Sequence, residues 1–348
     1  MAPAGYQKGW SPTRQRSWWR ERQAGRAGVE VTLFSSPALT AAGLRKAFGP
    51  LVVLDDIDLE VPAGTVFSLL GPNGAGKTTT VQILSTLIPA DAGQVYVAGH
   101  DLRREPDLIR AAIGVTGQFS AVDNLLTGQE NLILMADLHH LDRRVGRRRA
   151  AELLDQFDLV DAAKKTVATY SGGMRRRLDL AMTLVGDPGI IFLDEPTTGL
   201  DPRSRRSMWQ IIRDLVAGGV TIFLTTQHLE EADKVADRIA VLDQGKLVAE
   251  GTADQLKALI PGAHVRLQFA DASGLESAAR TLGAVSRHDD GLVLQVPNDG
   301  SVRSLKALLD RLADDSIEVD GLSVHTPDLD DVFLAVTGHS RNEEVRIG

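Results

Sequence analysis

The chain has 348 residues, 43% of them hydrophobic and 24% charged, a balance that supports a globular fold with room for two domains. A net charge of −8 argues against general nucleic-acid binding, and the lack of cysteine excludes disulfides and thiolate-bound metal, in keeping with a reducing compartment. No run approaches the ~20 apolar residues that a membrane-spanning helix needs, and no secretory signal is visible, so work at a membrane would require another chain to span it.

Residues 1–36 read as a tail. The stretch WSPTRQRSWWRERQAGR is rich in Arg and holds three of the four tryptophans. Such residues can anchor at a lipid interface, but no sustained apolar face accompanies them, which favours a disordered extension. From about 38 to 260, strands alternate with helices. The expected strands are DIDLEV, TVFSLL, QVYVAG, GIIFLD, VTIFLTT and RIAVLD, with TTTVQILSTL, RRSMWQIIRDLVAGG and LEEADKVA as helices between them. That alternation predicts an α/β domain over 37–261, a doubly wound parallel sheet with ligands at the carboxyl ends of its strands. Residues 124–186 interrupt it with mostly helical sequence, an inserted helical subdomain. PGAHVRL marks a boundary near 262. Over 262–348 the order is strand HVRLQFA, helix GLESAARTL, strands AVSRH and LVLQV, helix SVRSLKALLDRLA and strand IEVDGLSVH. This βαββαβ order predicts a small ferredoxin-like α+β domain, closed by a last helix, LDDVFLAVTG.

GPNGAGKTT, residues 71–79, stands directly behind TVFSLL and ahead of a helix. Gly71, Gly76, Lys77 and Thr78 fit the phosphate-loop pattern GxxxxGK[ST]. The run Gly71, Pro72, Asn73, Gly74, Ala75, Gly76, Lys77, Thr78, Thr79 can curve its N–H groups around a phosphate, with the positive end of the following helix behind them. Lys77 then serves both binding and chemistry at the β- and γ-phosphates, and the Thr78 hydroxyl ligates Mg²⁺. IIFLDEP ends a buried strand in two acids. Asp194 is suited to hold Mg²⁺ through water, and Glu195 to polarise an attacking water as general base. His228 follows VTIFLTTQ, where an imidazole can donate to the γ-phosphate; position alone fits a structural or exposed histidine equally well. Gln118 in VTGQFS can contact Mg²⁺ or the attacking water. Phe48 can stack on adenine or belong to the core. Ser171, Gly172 and Gly173 open the helix of YSGGMRRRLDLA and make a second anion-binding helix start, which an ordinary Ser cap also explains. Two such helix starts in one chain point to a site assembled from two subunits. The run RRVGRRR at 143–149 reads as a solvated helix face, and Arg175 to Arg177 as helix packing or an interdomain contact.

In order, Phe48, GPNGAGKTT, Gln118, YSGGM, IIFLDEP, GLDP at 199–202 and His228 resemble the ATP-binding cassette family over about residues 38–260. The family signature is usually LSGGQ; here Tyr170 stands for Leu and Met174 for Gln. The resemblance implies a P-loop NTPase fold, ATP and Mg²⁺ as cofactors, ATP hydrolysis, and a homodimer packed head to tail. In that dimer the phosphate loop of one copy faces Ser171 of the other, and Asp201, counted with the nucleotide-site residues, carries signals across the interface. VTGQFSAVDNLLTGQENL, SGGMRRRLDLA and PDLDDVFLAVTGH resemble more narrowly the ATP-binding subunits of bacterial daunorubicin/doxorubicin-resistance exporters. From this come the expectations of drug or antibiotic efflux through a separate transmembrane permease, a peripheral place on the cytoplasmic side of the cell membrane, and no nucleic-acid partner. The alternative is a non-transport cassette ATPase acting as a regulatory or repair factor. Relatives of that kind usually carry two cassettes or long coiled coils, which this sequence lacks. The C-terminal sequence and Met174 resemble exporters more than importers, and Glu195 and His228 argue against a regulator that no longer hydrolyses.

Overall fold

The computed structural model describes residues 37–117, 121–260, 264–283, 286–288, 292–298, 301–325 and 327–337. The expected tail at 1–36 and Gln118 lie outside the described residues. The chain divides into two compact units between Glu250 and Gly251, ahead of the boundary expected near 262. No helix among the described residues is long and apolar enough to cross a membrane.

The first unit runs β1 (Leu39–Phe48), β2 (Leu51–Val61), β3 (Val66–Leu70), α1 (Lys77–Leu84), β4 (Ala92–Val97), β5 (His100–Asp101), α2 (Pro106–Ala112), β6 (Ile113–Thr116) and α3 (Gly128–Leu138). It continues with α4 (Arg143–Gln156), α5 (Gly172–Thr183), β7 (Ile190–Asp194), α6 (Pro202–Ala217), β8 (Thr221–Thr226), α7 (Leu229–Val235), β9 (Arg238–Asp243) and β10 (Lys246–Gly251). A six-stranded sheet has the order β10-β9-β3-β8-β7-β6. Its pairs from β9 through β6 are parallel. Every residue of β3, β7 and β8 is buried, as continuous apolar runs covered on both faces require. At their centre Phe223 stacks on Phe67, with ring centroids 5.6 Å apart, and meets Phe192 at a tilt, also at 5.6 Å.

DIDLEV and QVYVAG do not join that sheet. They fall in β2 and at β4, in a separate antiparallel sheet ordered β2-β1-β4-β5. The distinction is physical. β2 alternates buried and exposed residues along its second half, the mark of a sheet with one face on the core. The central parallel strands β3, β7 and β8 show no such alternation. β1 was not anticipated at all, because LTAAGLRKAF is broken by Gly43 and Lys46; it pairs with both β2 and β4 and bulges between Ala41 and Leu44.

The helical insertion forms as expected, from α3, α4 and α5. α3 starts in a capping box, with Thr127 and Glu130 bonding reciprocally to each other's backbone N–H. Leu132, Ala136, Ala150, Leu153, Leu154 and Leu178 close its core. Most of RRVGRRR is exposed, but Arg149 turns inward and donates to the Leu184 carbonyl at 2.8 Å.

The second unit contains α8 (Ala253–Ala258), β11 (His264–Gln268), α9 (Ala272–Leu282), β12 (Ser286–His288), β13 (Val293–Pro297), α10 (Val302–Asp314), β14 (Gly321–His325) and α11 (Leu329–Thr337). From β11 to β14 the elements follow the order strand, helix, strand, strand, helix, strand. Their sheet is antiparallel, β12-β13-β11-β14. Val265, Leu267 and Leu294 pack against Ala278, Leu308 and Leu312 of the helices. α11 packs on α8.

The Phe67–Phe223–Phe192 stack ties three adjacent strands. Phe223→Ala is expected to cost about 3–5 kcal/mol, the range for emptying a buried Phe site. Urea unfolding followed by intrinsic fluorescence should show this as an early transition, since Trp209 reports on the same unit.

Candidate phosphate-binding site

The loop between β3 and α1 is held by its neighbours. Gly71 donates its N–H to the Thr226 carbonyl at the end of β8, at 3.2 Å. A Cβ at Gly71 would lie 2.2 Å from the Leu242 carbonyl oxygen in β9, so no side chain fits. Gly76 sits at φ 110°, and a Cβ there would meet Leu54 of β2 at 2.7 Å. Gly76 is also the N-cap of α1, and no side chain caps that helix. Its first N–H groups are therefore left for an anion, and the helix dipole adds to their pull.

The Lys77 amine is buried in the same turn. Nζ donates to the carbonyls of Gly71 at 2.7 Å and Pro72 at 3.0 Å, and lies 3.6 Å from Glu195 Oε1. Burial pulls its pKa down, while Glu195 and Asp194 beside it push it back up. Thr78 Oγ1 donates to Asp194 Oδ2 at 3.0 Å, and the Thr225 hydroxyl donates to the other Asp194 oxygen. The chain then turns at Glu195, which takes φ 47°, left-handed backbone that a Glu adopts only when its surroundings hold it. Its N–H donates to the Thr225 carbonyl at 3.1 Å, and Thr198 Oγ1 donates to its Oε2 at 3.1 Å. Asp194 thus faces Thr78 while Glu195 faces Lys77. Lys77, Thr78, Asp194 and Glu195, all predicted as site residues, come together.

The donor set there is hard oxygen: the Thr78 hydroxyl and the Asp194 carboxylate. Among the described residues no group of three or more His, Cys, Asp or Glu is placed to hold a metal. That combination suits Mg²⁺, which takes one or two protein oxygens and completes its shell with phosphate and water.

His228 is the N-cap residue of α7, just beyond β8, and donates its N–H to Thr226 Oγ1 at 2.9 Å. Behind it, Trp209 Nε1 donates to buried Glu231 at 3.2 Å, and burial pushes the Glu231 carboxyl up. Phe48 is 51% exposed, which removes the core alternative, and the Lys46 ammonium lies 5.3 Å from its ring centroid.

Ser171 and Asp201 form a second group. Ser171 caps α5, accepting from the Met174 N–H at 3.3 Å, and is exposed together with Gly172. A Cβ on Gly172 would meet nothing within 4 Å, whereas one on Gly173 would lie 2.6 Å from Ser204 Oγ. That hydroxyl donates to Asp201 at 2.6 Å, and Asp201 caps α6 by accepting from the N–H groups of Arg203 and Ser204. The Ser204 hydroxyl and these N–H groups hold the Asp201 carboxyl below its ordinary range. Two helix starts are therefore packed together through Ser204.

The sequence reading missed Thr225, which orients both Asp194 and Glu195; a threonine ending a buried strand gives no signal until the neighbouring strand is known. It read Arg175 to Arg177 as helix packing or an interdomain contact. Arg175 and Arg177 do donate to nearby carbonyls, those of Ala168 at 2.9 Å and Phe157 at 2.9 Å. Arg176 reaches farther, with Asp179 three residues on as its partner.

Comparison with known proteins agrees with this geometry. A family described as ABC transporter matches residues 54–198. A daunorubicin resistance ATP-binding protein of Streptomyces coeruleorubidus is 48% identical over 306 residues, 87% of this chain and 97% of that protein. A doxorubicin resistance ATP-binding protein of Mycobacterium tuberculosis is 44% identical over 309 residues, 86% of this chain and 93% of its own length. Among solved structures, a dimeric post-hydrolysis ATP-binding cassette bound to ADP and phosphate is 27% identical with a TM-score of 0.56, covering 62% of this chain and 98% of that one.

The crowding at Gly71 yields a direct test. Gly71→Ala must push the loop away from the Leu242 carbonyl, so equilibrium binding of a fluorescent ATP analogue should weaken by tenfold or more, about 1.4 kcal/mol. Unchanged affinity would show that the loop does not hold the phosphates.

Proposed function

Because the chain belongs to the ATP-binding cassette family of transporter ATPases, we propose that it is the motor subunit of an exporter, hydrolysing ATP to drive drug or antibiotic efflux through a separate membrane permease. The observation that carries this reading is the meeting of Lys77, Thr78, Asp194 and Glu195 at one strand edge. Its cargo class rests on likeness to the resistance proteins, which extends over nearly their whole length. In this reading the chain sits peripherally on the cytoplasmic side of the membrane, tethered by the permease.

In the proposed mechanism the N–H groups of the 71–79 loop and the Lys77 ammonium neutralise the β- and γ-phosphates, with the start of α1 behind them. Glu195 accepts a proton from the attacking water. Its backbone turn aims it at the γ-phosphate side of Lys77. His228 donates to the γ-phosphate, and Phe48 offers its exposed face to adenine. Thr78, and Asp194 through water, would hold Mg²⁺, whose charge offsets that of the phosphates. Ser171, with the open backbone of Gly172, would close over the nucleotide of a second copy packed head to tail. A full helix start facing solvent supports that reading, since Ser171 and Gly172 are exposed in a single chain. Asp201, tied to the same helix start through Ser204, would relay closure between the two sites.

Glu195→Gln should bind ATP normally, lose nearly all turnover and accumulate as an ATP-dependent dimer in sedimentation with Mg²⁺; normal hydrolysis would remove Glu195 from the role of base. Lys77→Ala should disable its own site, and Ser171→Arg should block closure while leaving nucleotide binding by a single chain intact. Mixing those two folded variants should restore ATPase activity through one intact composite site, and no recovery would count against the shared site. Inverted vesicles carrying the chain with its permease should accumulate drug on ATP addition, and Lys77→Ala should abolish this; uptake that persists would separate the chain from transport.

A further inference from the structure

Arg176 lies on α5, one turn past the Ser171 cap, and its guanidinium is largely buried. It donates from Nε to the Pro196 carbonyl at 2.9 Å and from Nη2 to the Asp194 carbonyl at 3.2 Å. These are the carbonyls on either side of Glu195, the residue held at φ 47°. Nη1 donates to the Gly117 carbonyl at 3.2 Å and to Asp179 Oδ2 at 3.2 Å. Asp179, itself buried, accepts from the Ala121 N–H through Oδ1 at 3.2 Å. One buried ion pair therefore touches the backbone at four places on two loops, and every one of those contacts is a directed hydrogen bond.

We propose that Arg176 and Asp179 are a positioning pair for the reaction: they lock the left-handed turn that aims Glu195, and fix Gly117 and Ala121 against the same strand end. The inference rests on the reading of Glu195 as general base. The chemistry favours it over plain helix packing. A left-handed Glu is not held by its own preferences, so its flanking peptides must be fixed from outside. A guanidinium is a rigid plane of five N–H donors and can bridge several carbonyls at once. An ammonium at the same place has three donors and no fixed plane, one donor fewer than the four acceptors that Arg176 bonds. The arrangement also connects the signature helix, whose start faces solvent at Ser171, directly to the backbone of the base. A shift of α5 would thereby reach Glu195 without passing through the nucleotide.

The test uses the full-length chain and measures ATP affinity, KM, kcat and thermal midpoint for four variants. Arg176→Lys keeps the charge and loses the fork. Arg176→Gln with Asp179→Asn removes both charges, so that no buried charge is left unpaired. Arg175→Gln is the neighbouring control, and Glu195→Gln calibrates loss of the base. Both Arg176 variants are expected to lose kcat by about tenfold or more, with ATP affinity and KM within about twofold, while Arg175→Gln keeps kcat within about twofold. If either folded Arg176 variant retains wild-type kcat while Glu195→Gln is dead, the positioning role is overturned and the base reading stands. If Glu195→Gln still turns over, the base reading itself fails. A fall in kcat matched by a fall in ATP affinity, or an equal loss in Arg175→Gln, would also overturn the inference, because a merely structural role predicts it.

Discussion

Everything at the site depends on the in-register parallel pairing of β3, β8 and β7. Leu70 pairs with Thr226 and Asp194 with Thr225, so three strands end at one edge. Each strand end supplies a different chemical part: the glycine loop after β3, the paired threonines of β8, the two acids at the end of β7. Parallel strands deliver all their carboxyl ends to one side, which is why ligands gather there in open α/β sheets. The aromatic stack of Phe67, Phe223 and Phe192 fixes the spacing of the same three strands from within.

Burying charge at that edge is the second constraint. An isolated ammonium in a protein interior is costly, and Lys77 is tolerated because two carbonyls and the Glu195 carboxylate surround it. Those partners are also ones that a phosphate can replace. Asp194 is buried in a comparable way, with its oxygens bonded to the Thr78 and Thr225 hydroxyls. Groups of opposite charge are thus held at close range, each bonded to partners that a ligand can replace. The φ of Glu195 adds strain of about 1–3 kcal/mol, which the surrounding hydrogen bonds must offset.

Of the three arginines that follow Met174, Arg176 reaches the end of β7, whereas Arg175 and Arg177 donate to carbonyls within the helical insertion itself. Arg175, Arg176 and Arg177 all donate to carbonyls, but to different segments. Their neighbouring positions on α5 point them in different directions, since successive residues on a helix are about 100° apart. A run that reads as uniform basic charge is in fact three separate ties. Asp179, on the same helix, completes one of them.

The sequence by itself determined the motifs and the class of the fold. GPNGAGKTT, IIFLDEP and SGGM are local patterns, and their chemistry depends on glycine conformational freedom, helix starts and strand-end acids that adjacent residues specify. That two acids end a buried strand is legible in IIFLDEP, and the helical character of residues 124–186 in their sequence. Only the tertiary structure decided which strands share a sheet: DIDLEV and QVYVAG are strands as read, but their antiparallel partner β1 carries too weak a pattern to announce itself. Only it exposed Phe48, turned Arg149 inward, and gave Thr225 and Arg176 their places. Those outcomes depend on contacts between residues 31 positions apart for Thr225 and Asp194, and 59 apart for Arg176 and Gly117. Local sequence encodes backbone preference and burial, whereas such pairings arise from how distant segments close on one another.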